Sequence, residues 1–258
     1  MIPEEIRVAL DALRDRRPDV QIDLRWHASA TSTMDLAAAL AAGGANHGVT
    51  VGADEQLAGR GRRGREWQSP AGAGLYFSMV ARPSLVSASL PLLTLAAGVG
   101  VRAGIRAATG LAPDLKWPND LIIGRRKLVG ILAEGLSLGT LEQAVIIGVG
   151  VNLQPAAYPP DVAARATSLE GELGRAIDRG TVLGEVLAGL WDAMAALERS
   201  RGDILQAWRA ASPSAFGTRV EWDMKHGITA GIDDAGALRV NTTEGVERIV
   251  SGDLHWTL

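Results

Sequence analysis

The segment Gly59-Arg60-Gly61-Arg62-Arg63-Gly64-Arg65, with Trp67 two residues on, has the make-up of a site for an anionic ligand. Glycines let a backbone approach a phosphate closely and leave amide groups free to point at it. Arginines add permanent planar charge that matches phosphate and carboxylate oxygens. The indole of Trp67 offers a flat face on which a purine could stack. The same composition also suits a solvated basic loop or an RNA-binding arginine–glycine segment. Placement between two expected strands speaks against a disordered RNA-binding tail.

A second constellation is Lys116-Trp117-Pro118-Asn119-Asp120, followed by Lys127-Leu128-Val129-Gly130-Ile131-Leu132. Pro118 pushes Trp117 into extended geometry and fixes a turn. Asn119 and Asp120 then fall at a strand end, where their oxygens could reach a divalent ion or a polar ligand. Lys127 starts an otherwise apolar strand, its ammonium directed from a sheet edge into a cleft. The alternatives are turn formation by Asn119-Asp120 and edge protection by Lys127. A third group is Gly148-Val149-Gly150-Val151-Asn152. Two glycines in a strand signal close approach of another backbone or a ligand, and the Asn152 amide needs a partner unless it simply ends the strand. Finally, Ser32-Thr33 before a helix and Gln56 at the next strand end could hydrogen-bond a small polar head group. Helix capping alone also accounts for Thr33.

The elements that must position these residues follow from patterning. The chain has 258 residues, no cysteine, a formal net charge of −3 and a hydrophobic fraction of 47%. That suits one large domain with a packed core, or one large and one small. Zero cysteine excludes disulfides and thiolate metal sites and fits a reducing, cytoplasmic setting. The acidic start lacks a signal-peptide pattern, and the uninterrupted apolar runs, 90–101 and 144–151, are short for a membrane span. Seven of the 26 basic residues gather in two windows, Arg60–Arg65 and Arg125–Lys127. Such focused charge on a near-neutral protein suits a small anion better than a long polyanion.

Periodicity predicts helices over 3–16, 34–42, 90–109, 181–198 and 203–210. Strands are expected at 24–27, 49–53, 74–81, 115–117, 121–123, 127–136 and 144–151, the last three as an antiparallel meander with a turn at Gly139, and a loop over 155–160. Beyond Ser212-Pro213 short strands with Gly- and Asp-rich turns take over, at 219–222, 227–232, 238–241, 247–250 and 254–256. The expected architecture is α+β: a main domain over 1–211 and a small β-barrel over 212–258, too small for its own core and so packed on the first.

Taken in this order, the motifs resemble the biotin protein ligase family. Ser32-Thr33, Gln56 through Arg65 with Trp67, Lys116–Asp120, Lys127–Ile131 and Gly148–Asn152 carry the resemblance, over about residues 29–153. It implies a mixed, mostly antiparallel sheet with flanking helices, like a class II synthetase, plus an SH3-like C-terminal barrel. It further implies biotin binding by Ser32, Thr33, Gln56, Gly59, Arg60, Arg62, Lys127 and Gly130. ATP binding falls to Arg62, Arg63, Arg65, Trp67, Lys116, Asn119, Asp120 and Asn152, with Mg²⁺ on Asp120 and Asn152. Lys127 and Arg62 are the implied catalytic residues, and the acceptor is a biotin carboxyl carrier protein. Two features depart from the family. Met34 stands where asparagine is frequent, and only 28 residues precede Ser29, too few for a DNA-binding winged helix, so no DNA contact is expected. No membrane partner is expected, and the oligomeric state is left open to a homodimer.

The implied chemistry brings two anions together: a biotin carboxylate attacks the α-phosphorus of ATP, and an acceptor lysine then displaces AMP. Lys127, Arg62 and Mg²⁺ would offset the repulsion, and the glycine-rich loop would close over the labile mixed anhydride. The sequence offers no evident general base for the second step. Lipoate or octanoate ligases are the nearest competitors, but their arginine-arginine-x-x-glycine-glycine-glycine stretch is missing. A non-catalytic RNA-binding module is the competitor from another class; it would favour a basic tail, whereas 212–258 carries four basic and seven acidic side chains.

Overall fold

The structure is a computed structural model and describes residues 1–84, 90–137, 140, 143–155, 160–252 and 254–257. The turn expected at Gly139 and most of the loop expected over 155–160 lie outside the described residues. Helix α1 (Glu4–Arg16) buries Ile6, Leu10 and Leu13, one residue per turn, and carries acids in its first turn and arginines in its last. It is followed by β1 (Asp23–Ala30), α2 (Thr33–Ala42), β2 (Val49–Gln56), β3 (Gly74–Ala81), α3 (Leu90–Thr109), β4 (Asp114–Lys116), β5 (Asp120–Ile123), β6 (Arg126–Leu136) and β7 (Ala144–Asn152). Two short helices, α4 (Pro160–Ala163) and α5 (Leu169–Leu173), precede the long α6 (Arg179–Arg199) and α7 (Arg201–Ala210).

Strands β1 to β7 form one sheet in the order β1-β2-β3-β7-β6-β5-β4. Only β1 and β2 run parallel; the other neighbours are antiparallel, which gives the mixed, mostly antiparallel sheet expected. Strands β3 and β7 are buried along their whole length, so both faces of the sheet centre are covered. One face presents Leu75, Phe77 and Met79 with Val145, Ile147 and Val149 to a layer made by α1, α3 and α6. Helices α3 and α6 cross almost backbone to backbone: a Cβ at Gly100 would lie 2.5 Å from the Gly189 carbonyl oxygen. Both helices are long and apolar enough to cross a bilayer, because α3 continues past its uninterrupted apolar run through Arg102 and Arg106. In this fold they form the core layer.

The opposite face is divided. At one end Val49, Val51, Val80, Ala144 and Ile146 pack under Met34, Ala37 and Ala41 of α2. Further along the same rows the residues shrink to Ser78, Gly148 and Gly150, with Gly130 beside them on β6. The first turn of α2, through Thr33 and Met34, reaches Ser78 and Gly148 but leaves Gly150 and Gly130 uncovered by the helix, and the functional site occupies that end of the floor.

The C-terminal strands β8 (Phe216–Trp222), β9 (Lys225–Ile232), β10 (Leu238–Thr242), β11 (Gly245–Ile249) and β12 (His255–Thr257) form a second, five-stranded antiparallel sheet. Val220, Leu238 and Val240 belong to the same buried cluster as the helical layer, so the small unit shares the main core, as its size requires. It holds the β4–β5 hairpin in particular. The Trp117 indole nitrogen donates to the Gly236 carbonyl at 3.0 Å, while on the main-domain side the Leu115 amide donates to the carbonyl of Ala211, at the end of α7, at 2.7 Å.

Candidate active site

Lys127 reaches the site because β6 carries a bulge. Leu121 pairs with Val129 and Ile122 with Lys127, which leaves Leu128 as an extra residue. Leu128 and Val129, adjacent in sequence, both sink into the core. The alternation of the strand shifts by one position there, and Lys127 emerges on the same side as Gly130, whose Cβ would lie 3.2 Å from the Lys127 Cε. The Lys127 ammonium stands 2.7 Å from an Asp120 carboxylate oxygen and 5.1 Å from the centre of a Trp67 ring. Asp120 pairs with Lys116 across the hairpin. Burial, reinforced by the Lys127 charge and opposed by Asp120, holds the Lys116 pKa below the ordinary lysine range. The Lys116 ammonium also lies 5.5 Å from the Trp256 ring of β12. Of the second basic window only Lys127 enters the site: Arg126 pairs with Glu172 at 2.8 Å, and Arg125 is exposed at the turn.

The arginine–glycine segment is a tight hairpin rather than a loose loop. Its arms are joined by hydrogen bonds from Gln56 N to Ser69 O, Trp67 N to Gly59 O and Gly61 N to Arg65 O, at 3.1, 2.8 and 2.8 Å. Gly59 is needed by this chain crossing, since a Cβ there would sit 2.3 Å from the Trp67 carbonyl oxygen. The Arg60 guanidinium bonds Asp35 of α2 at 2.7 Å and Glu134 of β6 at 2.6 Å. An Arg62 nitrogen comes within 3.5 Å of the Asn119 side-chain oxygen, so the hairpin lies against the β4–β5 turn. Arg63 and Arg65 are exposed at the tip and, with Leu132 and Glu134, line an open cavity of about 540 Å³.

Trp67 lies across the glycine floor. A Cβ at Gly130 would be 2.7 Å from its ring and one at Gly150 2.3 Å from its nitrogen, so these glycines create the seat of the indole. Beneath it a small cavity of about 40 Å³ is bordered by Thr33, Met34, Gln56, Ser78 and Gly148. Its polar wall is a connected network. The Gln56 side-chain oxygen accepts from the Thr33 amide at 2.9 Å and from the Thr33 hydroxyl at 3.1 Å, and its nitrogen donates to the Ser69 hydroxyl at 2.8 Å. The Thr33 and Ser78 hydroxyls are 2.8 Å apart. Ser32 is buried, and its hydroxyl has no partner among the described residues. Asn152, buried at the end of β7, donates to the Lys127 carbonyl at 3.3 Å and the Thr167 carbonyl at 2.9 Å, bracing the strand that carries Lys127.

The two basic segments, distant in sequence, therefore converge at one glycine-floored cleft. Four contributors were not anticipated from sequence: Ser78, Asp35, Glu134 and Trp256. Ser78 alone left a local signal, as the one small polar side chain in the otherwise apolar or aromatic, fully buried β3. The others act across long sequence separations.

Residues 26–152, the span from β1 to the end of β7, match the biotin/lipoate A/B protein ligase family. A bifunctional ligase/repressor BirA of Bacillus subtilis is 35% identical over 244 residues, covering 90% of this chain and 73% of that protein. The chain belongs to the biotin/lipoate A/B protein ligase family. A biotin–[acetyl-CoA-carboxylase] ligase of Paracoccus denitrificans, also similar to this family member, is 34% identical over 242 residues, 87% of this chain and 97% of that one. Among solved structures, the biotin protein ligase of Aquifex aeolicus in complex with biotin and ATP superposes with a TM-score of 0.78 at 28% identity, over 91% of this chain and 98% of that one. The family segment holds β2 to β7 and most of β1, whereas α6, α7 and the C-terminal sheet lie beyond it.

Proposed function

We propose that the protein is a biotin protein ligase, which forms biotinyl-5'-AMP from biotin and ATP and then transfers biotin to a lysine of a biotin carboxyl carrier protein. The observation that carries this reading is the meeting of Lys127, Asp120 and Trp67 with the arginine hairpin over Gly130 and Gly150. Relatives at 34–35% identity that bear ligase names support it. The Ser32 hydroxyl, buried without a partner among the described residues, and the Thr33–Gln56 network would receive the polar head of biotin. The acid end would run along the floor towards Lys127. Trp67 would separate biotin from the nucleotide and offer its outer face to adenine. Arg62, Arg63, Arg65 and Lys116 would hold the phosphates, while Asn119, clasped on β6 through Ile131, would keep the hairpin in register.

In the first step a biotin carboxylate oxygen bonds to the α-phosphorus and the bond to the departing pyrophosphate breaks. Lys127 and Arg62 neutralise the approaching anions and the charge that develops on the phosphoryl oxygens. In the second step the acceptor amine bonds to the acyl carbon, AMP leaves and the amine loses a proton. Among the described residues no three acids or histidines cluster as a metal cage. Mg²⁺ bound to a nucleotide needs only one or two protein carboxylates. Asp120 fits as that ligand, and Asn152 would stand behind it. When bound, the ion would add charge neutralisation at the phosphates. A cysteine-free chain suits a cytoplasmic setting for this work.

ATP–pyrophosphate exchange with biotin, lipoate and octanoate in parallel tests the assignment. Biotin-dependent exchange is expected. Exchange driven by lipoate or octanoate alone would refute it, as would salt-sensitive RNA binding without ATP turnover.

A further inference from the structure

We infer that Asp35 and Glu134 are positioning residues that latch the arginine hairpin shut through Arg60, and so set how long the adenylate stays bound. This rests on the ligase reading above. The hairpin is tethered at its base, where Leu57 N and Ala58 N donate to Ala30 O and Thr31 O, each at 2.9 Å. Arg60 ties it further out, to two separate walls. Asp35 lies in the first turn of α2, two residues after Thr33, and Glu134 lies on β6, two residues after Leu132. Thr33 and Leu132 both border the small cavity. The guanidinium therefore spans the cleft from its α2 wall to its β6 wall, one terminal nitrogen to each carboxylate, at 2.7 and 2.6 Å.

That geometry separates two roles that the motif alone merges. Both terminal nitrogens of Arg60 are committed to carboxylates, so its charge serves closure, while the residue also borders the small cavity. A fork-shaped cation is what such a bridge requires; a lysine could not hold two acids on opposite walls in the same way. All three side chains are partly exposed, at 39%, 56% and 39%. Each exposed pair of this kind contributes about 0.2–1 kcal/mol, or roughly 1.4- to fivefold in an equilibrium. Such a latch is weak enough to open for substrate entry and for transfer, and strong enough to slow escape. It is also sensitive to salt, because added ions shorten the screening length from about 10 Å at 0.1 M to about 3 Å at 1 M and weaken exposed pairs.

The test uses Asp35→Asn, Glu134→Gln and the double variant of the full chain. Biotinyl-AMP is formed on the protein from labelled biotin and MgATP, and its release into excess unlabelled biotin is followed. Each single change is expected to speed release about two- to fivefold and the double change about tenfold at low salt, with the difference closing near 0.5 M salt. The KM for biotin should rise while kcat for pyrophosphate exchange at saturating biotin stays within about twofold, a split that a general loss of fold would not produce. Amide hydrogen exchange of 59–67 in the ligand-free protein should quicken in the double variant. Unchanged release together with unchanged exchange would overturn the latch, as would a fall in kcat with release unaltered. Failure of the unaltered protein to form biotinyl-AMP would overturn the ligase reading instead, and the hydrogen-exchange result would still decide the latch.

Discussion

Gly150→Ala separates the stability of this fold from its activity. Gly150 sits in the middle of β7 with ordinary strand geometry, so alanine needs no unusual backbone angle there. Replacing a strand glycine by alanine is worth about 0.5–1 kcal/mol in favour of the folded chain. The added methyl, however, would lie 2.3 Å from the Trp67 nitrogen and 2.4 Å from the adjoining ring carbon. Non-bonded atoms pack at about 3.5 Å, so the indole must lift by about 1 Å. Because Trp67 N is bonded to Gly59 O, the arginine hairpin lifts with it. A displacement of about 1 Å in groups that align reactants costs on the order of 100-fold in rate, about 2.7 kcal/mol. Biotin-dependent pyrophosphate exchange should therefore fall by about two orders of magnitude while the thermal midpoint holds or rises. Gly148→Ala is the matched control: there the methyl meets the flexible Met34 thioether at 2.5 Å, which can swing aside, and the loss should be much smaller. Exchange by Gly150→Ala within about threefold of the unaltered protein would show that the seat of the indole does not govern the chemistry.

Lys127→Ala should abolish adenylate formation with the fold intact, since the side chain leaves the core at the bulge; a normal circular-dichroism melt with near-normal exchange would refute its catalytic role. Arg62→Ala should speed loss of biotinyl-AMP, measured by the same release assay. Trp117→Phe removes the donor to the Gly236 carbonyl and should cost about 1–3 kcal/mol in denaturant unfolding; an unchanged midpoint would mean that water replaces the indole. His47 is half-buried against Trp191 and accepts the Arg82 amide through Nδ1, and its partial burial lowers its pKa below 6.5, with Glu198 opposing. Between the folded value and 6.5 the unfolded chain binds more protons, so stability is lost as pH falls through that window. His47→Asn, which keeps an acceptor and does not titrate, should flatten the fall of the thermal midpoint below pH 6.5.

Most of this architecture is visible in local sequence. Strand 74–81 and helix 90–109 end where glycine, polar residues or a turn interrupt an apolar run, and both are found with those limits. Strand β1 extends to Ala30 although 28–30 reads as polar and small, because pairing with β2 as far as Gln56 outweighs weak strand propensity. The short α4 and α5 have too few turns to show a period. In the site, the motif lysine, aspartate and tryptophan are legible by type, but their meeting is not. It depends on a bulge whose only trace is the adjacent apolar pair Leu128-Val129. The partners of Arg60 are 25 and 74 residues distant, and nothing near Arg60 announces them. Gly59 reads as a phosphate-approach glycine, yet it serves a crossing of two chain segments.

The hold of the C-terminal sheet on the β4–β5 hairpin has a consequence for how the molecule is made. The turn bearing Asn119 and Asp120 is synthesised before residue 121, but the Gly236 carbonyl that fixes Trp117 and the Trp256 ring over Lys116 emerge more than a hundred residues later. A chain translated as far as β7 would own its glycine floor and basic arm without the contacts that hold the hairpin between them. Full support of the turn that carries Asp120 therefore waits until the C-terminal sheet has been made.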